Sequence, residues 1–449
     1  NFFKKEINIV ISRSYGPGRY DPSYEEKGND YPLSYVRFTE QRNMETFLSL
    51  LSQKKLDLKN LITHRFTLDE AATAYQLIEG KKTEPYLGIL LSYNSKTFDK
   101  NSSDLIKINP TKIDNDKIKI SFYGAGNYAT ATLIPLMKDS GKVSFNGLVT
   151  ATGMSAQSVA KKFDFNYCAS NYKEILNDKN DVVAITTRHD THSKAICNAL
   201  AANKNVYVEK PLALSVSELE DIHKAYTDNA KSQIMVGFNR RFAPSTNEII
   251  QHFESVKSPL VINIRVNAGF IPADHWTQDA QEGGGRMIGE GCHFIDLASA
   301  ITKSNVKTIY AVGSSKEEKS ALLNDNLCLS LTFENGSIAN ITYTADGSKA
   351  MSKEHIEVFG GGRSAQIKDF KEILLFDGDK KVKDKKLGSQ DKGQKSMIDS
   401  WLKGIQNGEP CIDYNSLMQT SLATILSIES LSIGMPLDVD SKLYKIKSS

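Results

Sequence analysis

The sequence predicts an α/β protein with a doubly wound parallel sheet, followed by an α+β domain with a mostly antiparallel sheet. Three observations support this fold class. Residues 117–123 alternate like a strand and run directly into the glycine-rich segment GAGNYA. Short apolar runs and helical patterns then alternate up to residue 239, which is typical of parallel strands joined by crossover helices. Beyond residue 260, strand patterns follow one another with few helices between them.

The composition is that of a globular protein and argues against several function classes. Of the 449 residues, 40% are hydrophobic and 24% are charged, which allows two or three domains. The formal net charge of +3 is too small to indicate a nucleic-acid partner. Five cysteines without a C-x-x-C pair predict neither a disulfide framework nor a metal site, and they suit the cytoplasm. No apolar run has the length of a membrane span.

The segment GAGNYA is the G-x-G-x-x-A form of the dinucleotide fingerprint, placed as required between a strand and a helix. Gly124 permits the tight turn, Gly126 lets the backbone approach a pyrophosphate, and Ala129 keeps helix and strand close. The amino terminus of the helix offers free N–H groups to the phosphates. We therefore expect a Rossmann domain that binds NAD or NADP through Gly124, Gly126, Asn127, Tyr128 and Ala129.

The second strand, residues 145–150, lacks the terminal acidic residue that binds the adenosine ribose of NAD. Thr150 and Thr152 stand there instead, and we expect both to contact the cofactor. No carboxylate would repel a 2′-phosphate, and no arginine is placed to bind one. The sequence therefore leaves the choice between NAD and NADP open.

The third strand, residues 181–187, ends in TTRHDTH. Ligands of open α/β sheets bind beyond the carboxyl ends of the strands. We accordingly expect Thr186, Thr187, Arg188 and His192 to bind the cofactor. His192 has a second interpretation, in which it begins a helix and bonds only to backbone.

The strand at residues 205–208 ends in the sequence Glu209-Lys210-Pro211. Pro211 restricts the preceding backbone to extended conformations, so Lys210 is expected to point into the ligand crevice beside Glu209. The alternative is a solvated amine in a strand-end turn. The next strand, residues 233–238, brings Asn239 and Arg240 to the same edge.

The succession GAGNYA, TTRHDTH, VEKPL and MVGFNRRF resembles the Gfo/Idh/MocA family of NAD(P)-dependent oxidoreductases. The resemblance extends from about residue 117 to the carboxy end. It implies that Lys210, which matches the lysine of the family's E-K-P motif, is catalytic. It also implies that His293 matches the catalytic histidine, although a packed helix histidine is the alternative. The family's acid four residues earlier is Gly289 here, so we expect Glu290 to pair with His293 at helical i, i+3 spacing.

The remaining chemistry of the second domain lies in a polar loop and the glycine-rich turn after it. A single tryptophan in the loop can stack on a sugar face. Residues 380–395, rich in Lys, Asp and Gly, predict a solvated hairpin loop, with phosphate contacts as the lesser alternative. Candidate strands are residues 260–266, 306–312, 327–333, 337–343 and 355–359. Besides Asn239 and Arg240, the substrate-binding candidates are Asn267, His275, Trp276, Asp279 and Arg286.

The first 95 residues have a separate origin. The phrases SYGPGRYDPSYEEKGNDYP and LITHRFTLDEAATAYQLIEG resemble the carboxy-terminal part of the alcohol-dehydrogenase-like half of bi-domain bacterial oxidoreductases. The resemblance implies that the rest of that half is missing here. The expected organisation is a remnant at residues 1–95, a linker at 96–116, a Rossmann domain at 117–239 and a substrate-binding and oligomerisation domain at 240–449. A strand was expected at residues 7–11.

These observations lead to one functional hypothesis and two rivals. We expect a cytoplasmic NAD- or NADP-dependent oxidoreductase of a sugar, sugar nucleotide or cyclitol, with a role in surface-polysaccharide synthesis. By analogy with the family, it would be a homo-oligomer paired through the sheet of its second domain. One alternative is an NAD-dependent glycosidase of the same family. The other is a catalytically silent dinucleotide-binding module.

Overall fold

The computed structural model describes residues 2–5, 15–26, 28–81, 83–92, 105–109, 116–150, 153–229, 231–314, 324–440 and 442. The chain divides into two compact units, residues 1–102 and 103–449. The strand expected at residues 7–11 and the candidate Thr152 lie outside the described residues, as does most of the expected linker. Residues 105–109, inside that linker range, include a short strand of the second unit.

The first unit has few elements and little apolar core. Its strands β1 and β2 pair in parallel, and among its described residues the buried apolar side chains are Ala74 and Leu77. Its longer helices are Glu40–Ser52 and Ala71–Ile78, and a 3-10 turn at Leu68–Glu70 leads into the second. In chain order the elements are α1 (Phe2–Lys5), α2 (Pro22–Glu25), α3 (Glu40–Ser52), β1 (Ile62–Thr67), α4 (Ala71–Ile78) and β2 (Gly88–Ser92).

The second unit begins with the predicted Rossmann sheet. Its strands are β3 (Ile106–Lys107), β4 (Ile118–Tyr123), β5 (Val143–Val149), β6 (Tyr167–Ala169), β7 (Val182–Ile185), β8 (Asn205–Val208) and β9 (Ile234–Val236). Between them lie α5 (Ile134–Asp139), α6 (Gly153–Phe163), α7 (Lys173–Leu176), α8 (His192–Ala201) and α9 (Val216–Asp228). Within the described residues the strand order is β3-β6-β5-β4-β7-β8-β9. All pairs are parallel except β3 with β6.

The strand order reverses at β4, which lies between β5 and β7. Helices cover both faces of a parallel sheet, so side chains are buried on both faces of β4, β5 and β7. This burial explains the continuous apolar runs in the sequence. The carboxyl ends of β4 and β7 therefore open a crevice at the point where ligands of such sheets bind.

A mostly antiparallel sheet follows, as predicted. Its order over the described residues is β17-β16-β15-β14-β10-β13-β12-β11-β18, with β10 and β13 parallel. The strands are β10 (Val261–Asn267), β11 (Val306–Gly313), β12 (Leu327–Phe333), β13 (Ile338–Thr344), β14 (Glu354–Gly360), β15 (Arg363–Lys368), β16 (Glu372–Asp377), β17 (Lys380–Lys386) and β18 (Leu437–Asp438). The accompanying helices are α10 (Pro244–His252), α11 (Cys292–Thr302), α12 (Gln394–Asn407) and α13 (Tyr414–Ile433).

The sheet has one packed face and one open face. Burial alternates strictly along β12 and β13, which gives the period-two pattern of a half-buried strand. Helix α13 packs on β11 and α11 packs on α13, and the buried apolar residues of the sheet form one core with those of the Rossmann domain. Residues 380–395 are not a hairpin loop as expected, since Lys380–Lys386 is the edge strand β17 and helix α12 begins at Gln394.

Candidate active site

One pocket of about 1130 Å³ lies at the carboxyl ends of the Rossmann strands. It exceeds the range of roughly 300–1,000 Å³ that is usual for small-molecule sites, so it has room for a cofactor and a second ligand. Both domains of the second unit line it. Among its lining residues are the predicted Gly124, Gly126, Asn127, Tyr128, Ala129, Thr150, Thr186, Thr187, Arg188, Glu209, Lys210, Asn239, Arg240, Trp276 and His293.

The glycine loop fits a dinucleotide. Gly124 has φ +100°, and a Cβ added there would lie 2.7 Å from the carbonyl carbon and oxygen of Thr186, so only glycine suits the turn. Around a Cβ added at Gly126, by contrast, nothing lies within 4 Å. The backbone is thus bare where a pyrophosphate must approach it, and a helical segment begins directly after the loop. Thr186 Oγ1 donates to Gly124 O at 2.9 Å and fixes this turn against β7.

Of the two histidines after β7, the structure places His189 in the pocket and the predicted His192 outside it. The ring of His192 is fully buried, with Nδ1 2.7 Å from Pro211 O and Nε2 3.3 Å from Thr187 O. It therefore supports backbone instead of lining the pocket, as its second interpretation had it. His189, which the sequence reasoning missed, lines the pocket in its place. Its position just after a strand was the one available signal.

Lys210 reaches across the pocket to the second domain. Its Nζ donates to Gly289 O at 2.7 Å, and the amine is therefore held next to helix α11. The preceding Glu209 accepts a hydrogen bond from Tyr207 Oη at 2.7 Å, and burial raises the pKa of its carboxyl. The Tyr207 hydroxyl thus occupies the carboxyl of the residue that precedes Lys210.

His293 is a buried base with an unused ring nitrogen. The residue is 6% exposed, and Nδ1 has no hydrogen-bond partner in the part of the chain that the structure describes. Burial, followed by the positive charges of Arg240 and Lys210, holds the pKa of His293 well below its usual value. The ring is consequently neutral at pH 7, and it keeps a lone pair for accepting a proton.

Glu290 does not pair with His293 as expected. The turn Met287–Gly291 is π-helical, with the Cys292 N–H bonded to Met287 O, and this changes the phase that i, i+3 spacing assumed. The Glu290 carboxylate instead accepts from Lys353 Nζ at 2.6 Å, Tyr343 Oη at 2.5 Å and Arg286 at 3.1 Å. Although burial acts in the opposite direction, Lys353 and the hydrogen bonds lower the pKa of Glu290 to about 2.

A buried ion cluster supports the far wall of the pocket. Glu354, which is 0% exposed, accepts both Nε and Nη2 of Arg240 at 2.8 and 2.9 Å. It also accepts Lys392 Nζ at 2.7 Å, while Asn239 donates to Lys392 O at 2.8 Å. Lys392 and Gln394 line the pocket, so the segment expected to be a solvated loop contributes to the site.

Four predicted substrate-binding residues are not among the pocket-lining residues; they bond to nearby backbone or side chains. Asn267 donates to Ser348 O, and Arg286 donates to Gly269 O. His275 bonds to Thr277 Oγ1, and Asp279 accepts the N–H groups of residues 281 and 282. Their hydrogen-bonding groups are the reason the sequence suggested a ligand role. In the structure His275, Asp279 and Arg286 bond within residues 269–286, whereas Asn267 bonds to the segment between β13 and β14.

The described residues contain no group of three or more His, Cys, Asp or Glu side chains placed to hold a metal ion. Within the same residues, every helix is too short or too polar to cross a bilayer.

Comparison with known proteins identifies the second unit. Residues 118–238 match the oxidoreductase family with an NAD-binding Rossmann fold, and residues 258–365 match the GFO/IDH/MocA C-terminal domain. Residues 118–365 therefore belong to the GFO/IDH/MocA family. Its NAD-binding domain carries the glycine loop and Lys210, and its C-terminal domain carries His293.

Individual relatives are similar to different extents. The uncharacterized oxidoreductase YrbE of Bacillus subtilis is 26% identical over 298 residues, which cover 63% of this chain and 86% of that protein. Inositol 2-dehydrogenase of Salmonella typhimurium is 29% identical over 144 residues, covering 31% of this chain and 41% of the enzyme. The structure of levoglucosan dehydrogenase with NADH and levoglucosan shares the fold, with a TM-score of 0.63 at 18% identity over 72% of this chain and 99% of that one.

Proposed function

We propose that this GFO/IDH/MocA protein interconverts a hydroxyl and a carbonyl group of a sugar, sugar nucleotide or cyclitol by hydride transfer with NAD or NADP. The observation that carries the proposal is the meeting of three features in one pocket. These are the glycine loop that fits a dinucleotide, the Lys210 amine, and the neutral His293. Their combination supplies a place for the cofactor, a cationic donor and a proton acceptor.

The chain's own residues handle the proton and the oxygen. A dinucleotide held by the glycine loop would supply a nicotinamide ring as the acceptor for the hydride of the substrate carbon. Lys210 Nζ uses one of its N–H groups on Gly289 O, so the remaining ones can bond the substrate oxygen and stabilise developing negative charge. The proton of the substrate hydroxyl passes to Nε2 of His293, because Nδ1 is sealed within the protein.

The ion cluster around Glu354 sets the electrostatics of this step. Arg240 and Lys392 share one buried carboxylate, so two cations face a single anion at the pocket wall. The excess positive charge favours an oxyanion in the transition state and keeps His293 unprotonated beforehand. We infer that Asn239 and Arg240 act mainly by placing this wall against the substrate.

The substrate class rests on chemistry and on the relatives together. Trp276, which lines the pocket, offers a flat apolar ring that suits the face of a sugar or cyclitol. Proteins named inositol 2-dehydrogenase match part of this chain. We also propose that the protein acts in the cytoplasm and has no nucleic-acid partner, which its small net charge supports. A role in surface-polysaccharide synthesis is supported by the resemblance of residues 1–95 to an alcohol-dehydrogenase-like half.

We further propose that two copies of the chain pair through the open face of the nine described strands of the second sheet. Tyr310, Val312 and Ile338 are exposed there. A large, partly apolar sheet face left uncovered in one chain is typical of an interaction surface.

The test is the near-ultraviolet absorbance of reduced nicotinamide over a panel of sugars, inositols and sugar nucleotides, with NAD and NADP in parallel. Lys210→Ala should abolish the signal, whereas Lys194→Ala, which removes an exposed lysine from α8, should leave it unchanged. A released sugar without net change of the cofactor would point to the glycosidase instead. A signal that survives Lys210→Ala would contradict the proposed site.

A further inference from the structure

His189 is a pocket residue that the proposed reaction does not use. It begins the 3-10 turn His189–Thr191 after β7 and is 6% exposed. Both ring nitrogens of His192 face backbone carbonyl oxygens, whereas in the described part of the chain His189 makes such a contact through Nδ1. A buried histidine with a free nitrogen beside a ligand pocket has a hydrogen bond to offer.

The hydrogen bond of Nδ1 fixes the tautomer. Nδ1 lies 2.7 Å from Gly283 O, and a carbonyl oxygen can only accept, so Nδ1 carries the proton. Burial, followed by the charge of Lys210, lowers the pKa of His189 to about 3. The ring is then neutral, and Nε2 bears a lone pair. Nε2 has no partner among the described residues, and it is not one of the sealed polar atoms.

The same ring stands next to the proposed reaction centre. A Cβ added at Gly289 would lie 2.9 Å from His189 Cε1, and Gly289 O accepts the Lys210 amine at 2.7 Å. The Cε1–Nδ1 edge of the ring is the part nearest Gly289, and Nε2 lies on the other side of Cε1. His189 and Lys210 both line the pocket, so the Nε2 acceptor and the amine that would bind the reacting oxygen belong to one site.

The loop of residues 269–283 immobilises this acceptor. Trp276 meets the His189 ring edge-on, with centroids 4.7 Å apart. Glu282 pairs with Arg188, and Glu282 O accepts the N–H of Asp190 at 3.2 Å. Trp276 and the Gly283 carbonyl therefore hold the imidazole, and the Glu282 contacts hold the loop that carries them, so the orientation of the ring is set before a ligand binds.

We propose that His189 Nε2 accepts a hydrogen bond from a substrate hydroxyl next to the one that reacts, and that this contact selects polyols with free neighbouring hydroxyls. The inference rests on the proposed function and makes the substrate class narrower. An acceptor-only nitrogen bonds a hydroxyl but not a carbonyl or ether oxygen. A substrate without that hydroxyl leaves the nitrogen unpaired, and this reduces binding in the transition state.

Two substitutions separate the two ring nitrogens. In His189→Asn the amide lies where Nδ1 was, so the bond to Gly283 O can persist while the Nε2 acceptor is lost. In His189→Gln the amide extends to the Nε2 position, so an acceptor is retained there. Each variant is assayed with NAD or NADP, whichever serves, against myo-inositol, D-glucose and their monodeoxy derivatives. Binding of the same compounds to the NADH-bound protein is followed by NADH fluorescence, which needs no turnover.

The wild type should discriminate against one monodeoxy derivative. His189→Asn should lower kcat/KM and affinity for the parent polyol about 10- to 100-fold, and should leave that derivative unchanged, so that discrimination disappears. His189→Gln should retain most of the wild-type discrimination between the parent polyol and that derivative. Equal losses for parent and derivative, or a loss confined to NADH affinity, would overturn the role of His189 alone. If no polyol binds or reacts with any variant, the proposed function fails and the inference fails with it.

Discussion

Replacing Glu354 by Gln is expected to destabilise the protein and to disturb the pocket together. The carboxylate is completely buried and pairs with both Arg240 and Lys392. Removing one partner of a buried ion pair costs about 3–5 kcal/mol. At about 2 °C per kcal/mol for a large domain, Tm should fall by about 6 °C or more. Affinity for NADH should also fall, because Lys392 lines the same pocket.

The matched control is Glu357→Gln on the same strand, β14. Glu357 is partly exposed, with Gln366 and His355 as its neighbours, so its change should stay within about 0.5 kcal/mol. Thermal unfolding followed by circular dichroism, with NADH fluorescence titration, measures both effects. Equal Tm values for the two variants would refute the claim that Glu354 holds the wall of the pocket.

Three further results are expected. Gly126→Val should raise the Kd for NADH at least about tenfold with little change in Tm, because the space around Gly126 is open. Gly124→Ala should raise the Kd and also lower Tm, because its Cβ would meet backbone atoms. Similar losses of Tm in the two variants would contradict this prediction. The folded-state pKa of Glu290 is depressed to about 2. Ionised Glu290 therefore adds about 3 kcal/mol to the free energy of unfolding at pH values above its ordinary pKa, and this contribution is lost as pH falls from about 5 towards 2. Glu290→Gln should flatten urea-measured stability over that window. Ile338→Lys should yield monomers by light scattering if the open sheet face pairs two chains; an unchanged mass would exclude that face.

Much of the Rossmann domain could be predicted because its signals are local. The strand patterns, the glycine loop and the lysine after β8 each lie within a few residues, and their places follow from the rule that parallel strands end at one edge. The match of residues 118–238 to the NAD-binding Rossmann-fold family confirms the fold over the segment in which those patterns agreed.

The errors came from long-range contacts and from backbone geometry. His189 and His192 are both polar residues after one strand, and their roles depend on Gly283 and Pro211, which are distant in sequence. Lys392 was predicted to be solvated because a run of charged residues usually lies in solvent. Its partner Glu354 lies 38 residues earlier, so no local pattern indicated the pair. Glu290 was paired by α-helical spacing, which the π-helical turn does not obey.

That turn also affects how the site can be probed by mutagenesis. The atom that holds the Lys210 amine is a main-chain oxygen, and a side-chain replacement leaves that oxygen chemically the same. A π-helical turn is equivalent to one residue inserted into an α-helix. Deleting a single residue from Met287–Gly291 should therefore displace Lys210 and His293 relative to each other. Alanine at Gly289 would report crowding against His189, and alanine at Glu290 would report the loss of its ion pairs. Neither change would remove the contact made by the main chain.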